Sequence, residues 1–112
     1  MKPNQSFLTP TEFHILLALR GESLHGYQII KQVEQDTEQG LKLLTGTLYN
    51  ALKRLIADDL LQEVEKTESE QGDARRKYYA LTEKGKKTLG LELKRYELST
   101  RLAQSGQFVT AM

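Results

Sequence analysis

The segment TGTLYNALKRLIADDLL, residues 45–61, constrains the fold of this chain more than any other stretch. Leu48, Ala51, Leu52, Leu55 and Ile56 recur at the ~100° spacing of an α-helix and gather on one side. That side must be buried, so the segment is predicted to be a helix resting on other elements. Gly46, Thr47, Tyr49, Asn50, Lys53 and Arg54 fall on the opposite side. These are not the ordinary Glu and Lys mixture of a solvated face. They include two cations, an amide and a phenol, groups that can hydrogen-bond a base edge or neutralise a phosphate.

Around this helix the punctuation is readable. Thr9-Pro10-Thr11-Glu12 carries a cap, a proline at the first helical position and a glutamate three after the cap. Phe13, Leu16 and Leu17 follow at helical spacing and Gly21 is a stop, which predicts a first helix over about Pro10 to Arg20. Ser23 is placed to cap a second helix with Tyr27, Ile30 and Val33 as its apolar stripe, closing by Gly40. Gly26 in its first turn is a poor helix former and signals a close approach of backbones. Beyond Asp58-Asp59, LLQEVEK and RKYYALT are short runs of strand formers in which Tyr79 and Leu81 point one way and Tyr78 and Ala80 the other. The polar TESEQGDAR between them makes a hairpin with a long loop. Thr82 then caps a last helix. Leu89, Leu93 and Tyr96 form one apolar stripe on it, and Leu91, Leu98 and Leu102 a second, so it needs two surfaces to bury them.

Composition narrows the function. At 112 residues the chain is one domain by size, and a domain this small buries only about 60–65% of its unfolded surface, which leaves room for a partner subunit. Absence of cysteine excludes disulfide frameworks, thiol catalysis and the common zinc sites. No run approaches the ~18 apolar residues of a membrane span, and MKPNQSF has no apolar signal-peptide core, so a cytoplasmic location is expected. Sixteen basic against fifteen acidic residues announce no nucleic-acid binder by total charge. The one basic concentration is Arg75, Arg76, Lys77, Lys84, Lys86 and Lys87, interrupted in charge only by Glu83.

Three helices followed by a hairpin give the order of a winged helix-turn-helix, mainly α with a small β-hairpin, in which the third helix enters the DNA major groove and the hairpin touches the flanking backbone. LTPTEFHILLAL, LHGYQIIKQVE, GTLYNALKRL with LL after it, and RRKYYALTEKGKK together resemble the successive signatures of the PadR family of bacterial transcriptional regulators, over about residues 7–98. The resemblance implies a winged-helix domain over residues 1–82 and a C-terminal dimerisation helix over 83–103, as in the short branch of the family; the closing AQSGQFVTAM has no periodicity, so residues 104–112 are expected to be a disordered tail. It implies a homodimeric repressor released from an inverted-repeat operator in double-stranded DNA by a small molecule. Residue by residue, it places Gly46, Thr47, Tyr49, Lys53 and Arg54 on the DNA-reading helix and Arg75, Arg76 and Lys77 on the wing; Asn50, on the same outer side, has the amide that suits adenine. Glu68, Glu70 and Asp73 make the wing tip acidic, so its root rather than its tip is expected to meet phosphate.

On the last helix, Leu89, Leu91, Leu93, Tyr96, Leu98 and Leu102 are the expected dimer interface. Tyr96 there either fills the dimer core or stacks a small flat aromatic effector, with Leu93, Ile15 and Phe7 as neighbours. His14 and His25 show no ligand spacing for a metal, and His25 in HGY is expected to pack or hydrogen-bond at a helix start. Glu92 and Glu97 read as solvated charges, and with no nucleophile-elbow or phosphate-cradling glycine motif, neither an enzyme nor a cofactor is expected. Two rival readings are a winged-helix module that binds protein without touching DNA, and a small-molecule-binding dimer whose DNA role is secondary.

Overall fold

Thr9 opens the first helix by the mechanism its sequence predicts. Its hydroxyl accepts from the Glu12 N–H at 3.1 Å and its own N–H donates to the Glu12 carboxylate at 3.0 Å, satisfying two otherwise orphaned amides. This is seen in a computed structural model that describes residues 7–67 and 75–106, with Lys66, Thr67 and Arg75 described by their backbone alone. Helix α1 covers Pro10–Ala18 and ends short of the expected Arg20. The Leu19 and Arg20 N–H groups instead donate to the carbonyls of Leu16 and Leu17, both at 3.1 Å, the tighter 3₁₀ pattern that closes a last turn.

The second helix departs from expectation at its start. Leu24–His25 form a short strand, β1, whose backbone pairs antiparallel with the strand Arg75–Leu81 (Leu24↔Tyr79, His25↔Tyr78). The chain is therefore extended through His25, and α2 runs Gly26–Asp36 with His25, not Ser23, at its cap. The shift re-aims the helix. Gly26, Ile29 and Val33 are buried with Ile30 half-buried, whereas Tyr27, expected in the apolar stripe, is 63% exposed.

Helix α3, Thr45–Ala57, buries Leu48, Ala51, Leu52 and Leu55 and half-buries Ile56, the stripe read from the sequence. It ends in a Schellman turn: Asp59 takes φ 64°, and the Leu60 and Asp59 N–H groups donate to the carbonyls of Leu55 and Ile56, both at 2.9 Å. Strand β2 (Leu61–Thr67) follows at once and pairs antiparallel with β3 (Arg75–Leu81), giving the order β1-β3-β2. The hairpin was legible in the sequence and the third strand was not. Tyr79 and Leu81 face the core as alternation predicts; Tyr78, on the other face, is also buried, with the His25 ring standing edge-on to it at 5.3 Å. Ile15 and Leu16, Ile29 and Val33, Leu48, Leu52 and Leu55, and Leu61 form the fully buried centre where the three helices meet the sheet. The acidic wing tip, Glu68, Glu70 and Asp73, lies outside the described residues.

Helix α4, Glu83–Ser105, is tied to the end of α3. The Thr82 hydroxyl accepts from the Gly85 N–H at 2.9 Å and donates to the Asp59 carbonyl at 2.6 Å, while the Thr82 N–H donates to the Leu60 carbonyl at 3.1 Å. Lys84 Nζ donates to the Asp58 carbonyl at 3.1 Å. A Cβ on Gly85 would run into the Leu60 carbonyl oxygen and stand 3.1 Å from its carbon, so the two segments can lie this close only with glycine there. The helix extends past residue 103 to Ser105, and residues 107–112 lie outside the described residues. Of its long side chains, Leu89 and Glu92 are buried. Glu92 is only 2% exposed and accepts from Arg95 Nη1 at 2.9 Å, which corrects its reading as a solvated charge; Glu97 is exposed. Position explains the difference, because Glu92 sits between Leu89 and Tyr96 on one helical face, and the Tyr96 ring lies edge-on to Phe13 of α1 at 4.9 Å.

The far ends of α1 and α2 are joined by a forked ion pair. Arg20 donates from Nη1 and Nη2 to the two Asp36 carboxylate oxygens at 2.8 and 3.2 Å, and Gln32 donates to the same carboxylate at 2.9 Å. The Arg20 hydrogen bond outweighs partial burial and holds the Asp36 carboxyl below its ordinary value near 3.8. A carboxyl lowered in the native state stabilises the fold above its unfolded-state value, and the contribution disappears as pH falls through the lower native value. Because Arg20 is half exposed, water screens the pair.

Two outcomes follow for stability. Gly85→Ala should lower the unfolding free energy by about 1–3 kcal/mol in a denaturant titration, since neither backbone can yield easily. Asp36→Asn should cost about 0.5–1 kcal/mol at neutral pH, and the gap between variant and parent should close as the titration is repeated below pH ~4.

Candidate nucleic-acid interface

The outward side of α3 presents Thr45, Gly46, Thr47, Tyr49, Asn50, Lys53 and Arg54, every one of them exposed. The buried stripe fixes this side by default, since a helix anchored through Leu48, Leu52 and Leu55 has only one way to face. The residues are not equally free. Lys53 makes no ion pair among the described residues, whereas Arg54 Nη2 lies 3.5 Å from Glu12 Oε2, the same side chain that completes the cap of α1.

Tyr49 leans away from the helix tip toward α2, and a Cβ on Gly26 would collide with its hydroxyl and stand 3.0 Å from its ring. Gly26 thus admits a side chain of α3, not the neighbouring backbone that the sequence suggested. The next residue back, His25, receives the wing: Arg76 Nη1 donates to His25 Nε2 at 2.9 Å. A neutral imidazole accepts at one nitrogen only, so this charge-assisted bond and the 3.4 Å approach of the Gln28 N–H to Nδ1 do not coexist; the shorter one is favoured. Contact therefore runs without a break from wing root through β1 and the start of α2 to the outer face of α3. Tyr79 lies beneath, its phenol pushed above its ordinary value by burial first and then by Tyr49 and Glu63 nearby.

Lys77, strongly exposed, extends the surface along β3 with its Nζ 3.9 Å from Glu63 Oε2, too long to hold the cation firmly. The side chain of Arg75, also assigned to the wing, lies outside the described residues. Two further exposed residues stand just past Gly26 on α2: Tyr27, expected from the sequence in the apolar stripe, and Lys31, not singled out there, with its ammonium 5.6 Å above the Tyr27 ring. Their only signal was helical phase, which became readable once α2 was known to begin at Gly26.

A family model for the PadR-like transcriptional regulators matches residues 15–91. The chain belongs to that family. A PadR family transcription regulator from Clostridium difficile R20291 shares 32% identity with it at a TM-score of 0.71, over 84% of this chain and 94% of the other. A PadR-like transcription factor from Bacteroides fragilis shares 37% identity at a TM-score of 0.66, over 86% and 89%. The likeness to Bacillus subtilis PadR, solved in complex with operator DNA, is one of fold: 21% identity and a TM-score of 0.66, over 87% of this chain and 60% of that one. No curated protein matches the chain. Among the described residues no helix is long and apolar enough to cross a membrane, and no group of three metal-ligating side chains gathers.

Away from α3, the residues assigned to an effector and a dimer separate into two sets. Leu91, Leu93, Tyr96, Leu98 and Leu102 stand exposed along α4, and Phe7 is exposed under the Arg95 guanidinium, 4.2 Å from its ring centre. Leu89 is buried within the protomer, and Ile15 is sealed in the core with no surface to offer a ligand.

The Gly26 contact generates a direct check. Gly26→Ala should displace the Tyr49 ring and lower the unfolding free energy by about 1–3 kcal/mol, and Tyr49→Phe in the same background, by removing the colliding hydroxyl, should recover part of that loss in the same melt.

Proposed function

We propose that this chain is a sequence-specific DNA-binding repressor that acts in the cytoplasm as a homodimer. The supporting observation is that exposed Arg76 and Lys77 are joined, through contacts at the buried His25 and Gly26, to the exposed Tyr49, Asn50, Lys53 and Arg54. Each group has a task on a duplex. Lys53 and Arg76 neutralise phosphate, Asn50 has the paired donor and acceptor that adenine presents in the major groove, and Tyr49 offers its hydroxyl to the sugar-phosphate chain. Arg54 must leave Glu12 to reach DNA, so Lys53 carries the larger share. Operator binding by a protein of the same fold supports the reading.

The homodimer rests on α4, whose Leu91, Leu93, Leu98 and Leu102 are exposed at helical spacing and gain burial only from another surface. A second copy places two α3 helices on successive major-groove faces of an inverted repeat, roughly 34 Å apart. A flat aromatic effector between the subunits, against Tyr96 and Leu93, would change that separation and with it the affinity that depends on both helices fitting at once.

Titrating the protein against DNA upstream of its own coding region, at several salt concentrations, tests the reading. The logarithm of affinity should fall linearly with the logarithm of salt, and Lys53→Ala should reduce the slope by about 1 per lost phosphate contact. Arg54→Ala should weaken binding less than Lys53→Ala. Variants that bind as the parent does would remove α3 from the interface.

A further inference from the structure

Leu44 stands at the N-cap of α3 (φ −79°, ψ 152°), where Ser, Thr, Asp or Asn would accept an N–H of the first turn, and it makes no such bond. It does not serve the core instead. Leu43 and Leu48 occupy the two positions of a hydrophobic staple and are both buried, while Leu44 is 74% exposed, the most exposed large apolar side chain among the described residues. The chain thus gives up a helix cap to hold an apolar side chain in water. Neither local structure nor packing accounts for that choice.

Its surroundings do. Leu44 is continuous with exposed Thr45, Gly46 and Thr47 at the tip of α3, exposed Lys42 precedes it, and the space over Gly46 is empty to 4 Å. The N-terminal residues of a recognition helix are the ones that reach base edges. Within the major groove the apolar mark of a base edge is the thymine C5-methyl, which sets T·A apart from C·G.

We infer that Leu44 is a specificity-determining residue that packs on a thymine methyl in each half-site of the operator. The inference rests on the DNA-binding reading above and adds to it the base that the helix tip selects. Leu44 covers a single methyl, so its share of affinity is modest and its share of discrimination larger.

The experiment uses the full chain and a duplex chosen by it from a random-sequence pool. Each thymidine of one half-site is replaced in turn by deoxyuridine, which removes only the methyl. One position should lose about fourfold in affinity, the value of one buried methyl. Leu44→Ala and Leu44→Ser should bind the parent duplex about fourfold more weakly and be indifferent to deoxyuridine at that same position. Leu44→Ser should also melt higher than Leu44→Ala, because it restores the cap, which shows that weaker binding is not misfolding. A parent indifferent to deoxyuridine everywhere, or variants that retain its penalty, would overturn the inference while leaving DNA binding intact. A smaller oligomer for Leu44→Ser than for the parent would overturn it too, by making Leu44 a contact between copies. Failure of the parent to enrich any duplex would sink the DNA-binding reading itself.

Discussion

The carbonyls of Asp58, Asp59 and Leu60 lie past the end of α3 with no further helical turn to bond them, and a single threonine and its neighbours supply the missing donors. Thr82 donates to two of the three through its hydroxyl and its N–H, Lys84 reaches the other, and the same hydroxyl caps α4. Gly85 makes the arrangement possible by having no side chain where the Leu60 carbonyl lies. One junction therefore terminates the helix that offers its polar face to solvent and starts the helix that offers its apolar one. Helix α1 meets both, through Glu12 and Arg54 on α3 and through Phe13 and Tyr96 on α4.

A second close approach organises the polar surface. Gly26 lets the Tyr49 ring rest on the start of α2, and β1, immediately before it, draws Arg76 of β3 in through His25. Three stretches far apart in sequence thus share one face without any of them carrying a large excess of charge. That explains how a chain with sixteen basic and fifteen acidic residues can still present a locally cationic face.

What could be read in advance was what is encoded within a few residues. The Thr9 capping box, the Thr82 cap, the stripe of α3 and the alternation of Tyr79 and Leu81 are all patterns of short period, and the structure has each of them. What could not be read depends on partners elsewhere in the chain. Leu24 and His25 are a strand only because β3 is beside them, and their pairing moved the start of α2 and turned Tyr27 outward. Glu92 is buried because of the helix opposite it, which no charge pattern on α4 records. Arg54 stands on the exposed side of α3 that its helical phase predicts, yet its ion pair with Glu12 belongs to the contact between α3 and α1.

The length of α4 gives the Gly85 junction mechanical meaning. A helix of 23 residues is about 34 Å long, and it is gripped by hydrogen bonds at one end while its outer half carries exposed leucines. The grip extends along it, since Leu89 and Glu92 are buried and Tyr96 meets Phe13 of α1, so the free arm is the part beyond Tyr96: nine residues, about 14 Å, that carry Leu98 and Leu102 out into solvent.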